Sequence, residues 1–174
     1  MTASRRPILQ PTSLRLPPRR LTLIVREIEH GSAEYRATLE LRRRFLREPL
    51  GLELTVADTA GEDGQRHFGL FIVENAEPGR LAGSVIAAPP ADEHAGWRIR
   101  QMVVDAAYRG SGFGRLLLTE AERLLAADGV PLLVLYARAE AAGFYRSCGY
   151  EATGETASLI GMPHQEMRKA VSRL

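Results

Sequence analysis

Apolar residues recur along this chain at two periods, and each period predicts its own elements. Leu21 to Ile28 reads Leu-Thr-Leu-Ile-Val-Arg-Glu-Ile, a β-branched run that predicts a strand. Ser32 can cap a helix running to about Arg47, which Pro49 and Gly51 stop. Tyr35, Leu39 and Leu46 lie near one face of it. Arg42, Arg43, Arg44 and Arg47 cover much of the rest, as a solvated face would. Residues 60–65 form a polar, Gly-containing connection. His67 to Glu74 and Arg80 to Ala88 read as two strands of a hairpin turning over residues 75–79. From Gly96 to Val104, Trp97, Ile99, Gln101 and Val103 alternate against Arg98, Arg100 and Met102, the period of a strand.

The period lengthens over Gly112 to Ala127, where Leu117, Ala121, Leu124 and Leu125 fall at i, i+4, i+7 and i+8. Gly129 follows as a helix stop. Residues 131–136 are nearly all apolar, as a strand buried on both faces should be. Glu140 to Cys148 is a short helix with Ala141, Phe144, Tyr145 and Cys148 inward. Two last strands are expected at Tyr150 to Gly154 and His164 to Ala170. The order β-α-(α)-β-β-β-α-β-α-β-β predicts an α/β fold with a central mixed sheet of about seven strands flanked by helices.

Composition narrows this picture. The 174 residues suit one domain, and 45% hydrophobic with 25% charged residues are globular values. Residues 1–20 differ, with four prolines, five arginines and no acid. They read as a flexible arm preceding a domain at 21–174. The prolines oppose a transit-peptide helix, and no continuous apolar core marks a secretory signal. No apolar run approaches ~18 residues, so no membrane partner is expected. A net charge of +2, from 23 basic and 21 acidic residues spread widely, gives no basic stripe for nucleic acid. Cys148 is the sole cysteine, which excludes an internal disulfide and a cysteine-built metal cluster. The expectation is a cytoplasmic protein without metal.

The sharpest local feature is Arg109-Gly-Ser-Gly-Phe-Gly-Arg115, between a strand and the longest helix. Its glycines open backbone conformations closed to other residues. The helix start adds free N–H groups and a partial positive charge, so the turn is an anion site. The dinucleotide pattern G-x-G-x-x-G fails because Arg115 stands at the third glycine, and the Walker pattern fails for want of a lysine.

Arg109-x-x-Gly112-x-Gly114 resembles the [RQ]-x-x-G-x-[GA] motif of the GNAT (GCN5-related N-acetyltransferase) family. Residues 100–105 (Arg-Gln-Met-Val-Val-Asp) look like the family's preceding strand. Residues 141–150 (Ala-Ala-Gly-Phe-Tyr-Arg-Ser-Cys-Gly-Tyr) look like its A-x-x-F-Y-x-x-x-G-[FY] segment. One group of small GNAT proteins is resembled more closely, at Leu41-Arg42, Leu50-Gly51-Leu52, His67 and residues 161–167. The resemblance implies acetyl-CoA as donor, lying between splayed fourth and fifth strands. It places the pantetheine arm along Met102, Val103 and Val104. The pyrophosphate falls on the amides of Gly110, Ser111, Gly112, Phe113 and Gly114, with Arg109 and Arg115 as charge partners. It makes Tyr145 the general acid, a phenol protonated at pH 7 that can donate to the leaving thiolate. Where the family often has a cofactor-contacting asparagine, this chain has Arg138, which could reach a phosphate or the acceptor.

The implied reaction is acetyl transfer to a primary amine by direct attack in a ternary complex. The alternative is a non-catalytic acyl-CoA sensor with the same fold, marked by loss of Tyr145 or of the turn; both are intact. His164 is the candidate base or acceptor contact, with His67 a weaker one that could equally be structural. Glu27 and Asp105 sit at strand ends, where carboxylates are usually solvated, and Cys148 reads as packing rather than nucleophile. By analogy with similar proteins, a homodimer is the expected assembly.

Overall fold

The computed structural model describes residues 21–74, 79–92 and 95–172. The arm expected at 1–20, and residues 75–78 of the expected hairpin turn, lie outside them. The chain forms β1 (Leu21–Ile28), α1 (Ala33–Arg42), α2 (Val56–Thr59), β2 (Arg66–Glu74), β3 (Arg80–Ala88) and β4 (Trp97–Val104). It continues with α3 (Phe113–Ala127), β5 (Leu132–Ala137), α4 (Ala139–Ser147), β6 (Glu151–Leu159) and β7 (Met162–Ala170). The seven strands make one sheet in the order β1-β2-β3-β4-β5-β7-β6. Only β4 and β5 run parallel; every other neighbouring pair is antiparallel.

Both faces of the sheet are covered, which is why its central strands read as apolar runs. On one face Phe68, Leu70 and Ile72 of β2 pack with Leu117, Leu118, Ala121 and Leu125 of α3. On the other, Phe71 meets Ile28 and Tyr35. The Ser32 hydroxyl accepts from the Tyr35 amide at 3.1 Å, capping α1 as its position predicts.

The arginine face expected on α1 is corrected in part. Arg43 and Arg44 are exposed, but Arg42 is 1% exposed and Arg47 is buried. Arg42 donates two hydrogen bonds to Glu62 (2.8 and 2.9 Å), which is 0% exposed in a 3-10 turn within the expected polar connection. Charges this deep persist because each holds the other in bidentate geometry.

The last two strands are longer than their apolar pattern suggests. The hairpin extends to Leu159 and restarts at Met162, across a turn with Ile160 at φ 47° and Gly161 at φ 72°. β6 is an edge strand exposed over most of its length, so no buried face writes a period of two into its sequence.

Candidate active site

The site begins with a defect in the sheet. β4 pairs with β5 only at Trp97–Leu133 and Arg98–Val134. Beyond those pairs the strands separate, and backbone groups on both facing edges lack a ladder partner. On its other side β4 carries a bulge. Ser84 pairs with Val103 and Ile86 with Arg100, so Gln101 and Met102 of β4 oppose Val85 alone on β3. Gln101 absorbs the bulge in the left-handed region, at φ 51°. This breaks the simple alternation expected of the strand. Val103 stays in the core, while Met102, Val103 and Val104 all border a cleft of about 590 Å³.

The glycine turn closes one end of that cleft. Gly110 (φ 78°) and Gly112 (φ 84°) hold conformations that a β-carbon disfavours. Gly112 is the N-cap of α3, and no side chain caps it. The first intrahelical bond runs from the Leu116 amide to the Gly112 carbonyl at 3.0 Å, which leaves the amides of Phe113, Gly114 and Arg115 ahead of the ladder. A β-carbon at Gly110 or Gly112 would meet nothing within 4 Å, so the turn faces open space. These features fit a pyrophosphate: free amides, the positive end of a four-turn helix, and room against the backbone.

The flanking arginines are less free than the sequence implied. Arg109 lines the cleft, but its Nε donates to the Val104 carbonyl at 3.1 Å and its guanidinium lies 5.2 Å from the Phe45 ring centre. Arg115 also lines it, yet donates to the Ser147 carbonyl (2.7 Å) and hydroxyl (2.9 Å) at the end of α4. Ser111 and Phe113 do not line the cleft; Phe113 stacks on Tyr108 at 5.2 Å between ring centres.

Tyr145 stands where this cleft meets a second one of about 340 Å³. Met102, Ala141 and Tyr145 border both. The Tyr145 hydroxyl donates weakly to Met102 Sδ at 3.7 Å. Burial, then Cys148 beside it, pushes the phenol up to about 12. Its O–H therefore persists at every working pH.

The second cleft also holds His164 and Arg138. His164 is 7% exposed, and its Nδ1 lies 2.9 Å from the Met162 carbonyl. A carbonyl only accepts, so Nδ1 donates to it, and Nε2 is the ring nitrogen left to face the cleft chemistry. Arg138 lies beyond the first cleft and 3.4 Å from Glu140, so the structure places it on the second side rather than at the phosphate turn.

His67 is elsewhere. It is 2% exposed, Nε2 donates to the Glu62 carbonyl at 2.8 Å, and its ring lies edge-on to Tyr35 at 5.1 Å. Nδ1 is buried without a partner, and burial pulls the imidazole below its usual range. It is a structural residue. Glu27 pairs with Arg66 (2.7 Å) and Asp105 accepts from the Ala107 amide (2.9 Å), both away from the clefts. Cys148 is buried under Tyr150 and Tyr145 in the core cluster, as packing.

Arg47, Arg98 and Arg100 also line the second cleft, a role the sequence reading did not assign. The signal was present in β4, whose period of two put Arg98, Arg100 and Met102 on one face.

Residues 66–152 match the model of the Acetyltransferase (GNAT) domain. The uncharacterized N-acetyltransferase YitI of Bacillus subtilis (strain 168) is 28% identical over 72% of this chain and 83% of its own length. Two further relatives from that strain are 32% and 28% identical, and the chain spans about half the length of each, 49% and 51%. An acyl-CoA N-acyltransferase from Pseudomonas aeruginosa shares the fold with a TM-score of 0.69, at 20% identity over 87% of this chain and 100% of that one. So does the spermidine N-acetyltransferase of Vibrio cholerae, solved in complex with CoA and spermine (TM-score 0.63, 16% identity, 86% and 95% of the two chains). A sheet split between β4 and β5, a glycine-capped helix at its mouth and a domain match over half the sequence agree: this chain belongs to the GNAT acetyltransferase family.

Proposed function

We propose that the protein transfers an acetyl group from acetyl-CoA to a primary amine by direct attack in a ternary complex. The observation that carries this is the meeting of two clefts at Tyr145. One offers open strand edges and a phosphate turn to the donor. The other is separate, holds His164, and can bring an acceptor to the same point.

The chemistry sets the residue roles. A free alkylammonium has a pKa of ~10.4, so presenting the neutral amine at pH 7 costs about 4–5 kcal/mol. His164 Nε2 is the base that accepts that proton, directly or through water. The amine nitrogen then forms a bond to the thioester carbon, and the carbon–sulfur bond breaks. Tyr145 donates its O–H to the departing sulfur. Full transfer from a phenol near 12 to a thiolate of pKa ~8.5 is uphill by about 5 kcal/mol. The phenol therefore stabilises developing charge, and the proton released by the amine completes the thiol. The products are an N-acetyl amide and free CoA.

Calorimetric titration with acetyl-CoA, CoA and NAD, followed by thiol release across an amine panel, tests this. Binding of the CoA species alone, with amine-dependent release, is expected. No binding of any CoA ester would refute it.

A further inference from the structure

The cleft beyond Tyr145 is more cationic than amine acetylation requires. Arg47, Arg98, Arg100 and Arg138 line it, and among the described residues no aspartate or glutamate does. Arg47 is held by Asp58 at 3.0 Å and Arg138 lies 3.4 Å from Glu140. The other two have far less compensation. Arg98 meets no carboxylate among the described residues; its guanidinium lies 5.0 Å from the Tyr136 ring centre. Arg100 comes only within 3.9 Å of Glu62, because Arg42 already engages both oxygens of that carboxylate. Burial, with Arg42, Arg98 and Arg47 nearby, depresses the Arg100 guanidinium despite Glu62. Positive charge is thus crowded into a cleft with too little negative charge to balance it.

An alkylamine is itself a cation at neutral pH, so a cleft of this sign repels it unless the acceptor brings a negative group. We propose that the acceptor is a small primary amine whose other end carries a carboxylate or a phosphate, bound by Arg98 and Arg100. This deepens the transferase reading and rests on it for the position of the amine. Guanidinium groups bind both anions in bidentate geometry. Strand spacing sets the length of the acceptor. Arg100 and Arg98 stand two and four residues from Met102, roughly 7 and 13 Å along β4. An amine at Tyr145 with its anion near Arg100, the nearer of the two, spans roughly 7 Å at most, since the bulge at Gln101 shortens the rise, and this is a chain of about three to six atoms.

The test compares 4-aminobutyrate and O-phosphoethanolamine with 1-aminobutane and putrescine, by thiol release at matched ionic strength. At least one anionic amine should exceed 1-aminobutane tenfold or more in kcat/KM, and the two arms tell carboxylate from phosphate. Arg98→Gln should reduce that preference to threefold or less, with Arg100→Gln as a second variant. Arg123→Gln, on the outer side of α3, should retain it. Preference for 1-aminobutane or putrescine would overturn the proposal and leave the transferase standing. If no amine reacts, calorimetry of the two anionic amines on CoA-saturated protein decides. Binding that Arg98→Gln weakens tenfold upholds the anion site and counts against transfer. No binding by the unaltered protein overturns the anion site.

Discussion

Replacing Glu62 with glutamine should destabilise this protein far more than a surface change of equal size. The wild-type carboxylate takes two hydrogen bonds from Arg42 (2.8 and 2.9 Å) and one from Tyr35 (2.9 Å). A glutamine of the same shape keeps one acceptor and turns an N–H toward the guanidinium. Arg42, 1% exposed, then carries a buried charge with no counterion. Breaking a buried pair from one side costs about 3–5 kcal/mol. Against a total stability of about 5–15 kcal/mol, that is a fifth or more. At about 2–4 °C per kcal/mol for a domain of this size, the midpoint should fall by roughly 6–20 °C. Urea unfolding and thermal circular dichroism read both quantities. The double replacement of Arg42 by methionine and Glu62 by leucine should recover most of the loss, since apolar packing of similar volume removes the uncompensated charge. A loss below about 1 kcal/mol for Glu62→Gln would refute the argument, as would a double variant no more stable than the single one. Burial alone would push the Glu62 carboxyl up; Arg42, Tyr35 and Arg100 more than offset this and hold it below the usual carboxylate range. Its stabilisation is therefore present above about pH 4.5 and lost as pH falls through the folded value, a dependence that Glu62→Gln should flatten.

Three further outcomes follow from the site and its supports. Tyr145→Phe should lower kcat by about 10²-fold or more while acetyl-CoA affinity changes less than threefold, because among the described residues the hydroxyl makes only the weak hydrogen bond to Met102; equal turnover would remove the acid role. Gly112→Ala forces an alanine to φ 84°, which costs about 1–2 kcal/mol and should weaken acetyl-CoA binding by calorimetry; unchanged affinity would show that the turn does not hold the pyrophosphate. His67 sits below its usual range through burial, so the unfolded chain takes up its proton first. Stability should fall as pH drops below about 6.5, by up to about 1.4 kcal/mol per unit, and His67→Gln should flatten that slope in urea titrations at pH 5–7.

Much of this molecule was legible in the order of its residues. β3 and the long helix α3 lie where the apolar periods put them, because β3 is buried along most of its length and α3 buries one stripe, and both must show it in sequence; β1, exposed over most of its length, was marked by its β-branched run instead. The glycine turn was legible too, since positive φ at Gly110 and Gly112 restricts residue choice locally. Tertiary contacts decided the rest. The splay of β4 from β5 is the end of a ladder between strands more than 30 residues apart, and no local pattern encodes where a ladder ends. The sequence showed Arg42, Arg43, Arg44 and Arg47 as one charged run. Burial of Arg42 depends on Glu62, 20 residues away, reaching the same interior point, while Arg43 and its exposed carboxylates stay in solvent. Likewise Arg98 and Arg100 were evident as residues of one strand face. That this face would line a cleft with His164 and Tyr145 follows only once β4, α4 and β7 are brought together. Periodicity reports which side of an element is buried; what lies opposite is a long-range property, set by packing between elements distant in the chain.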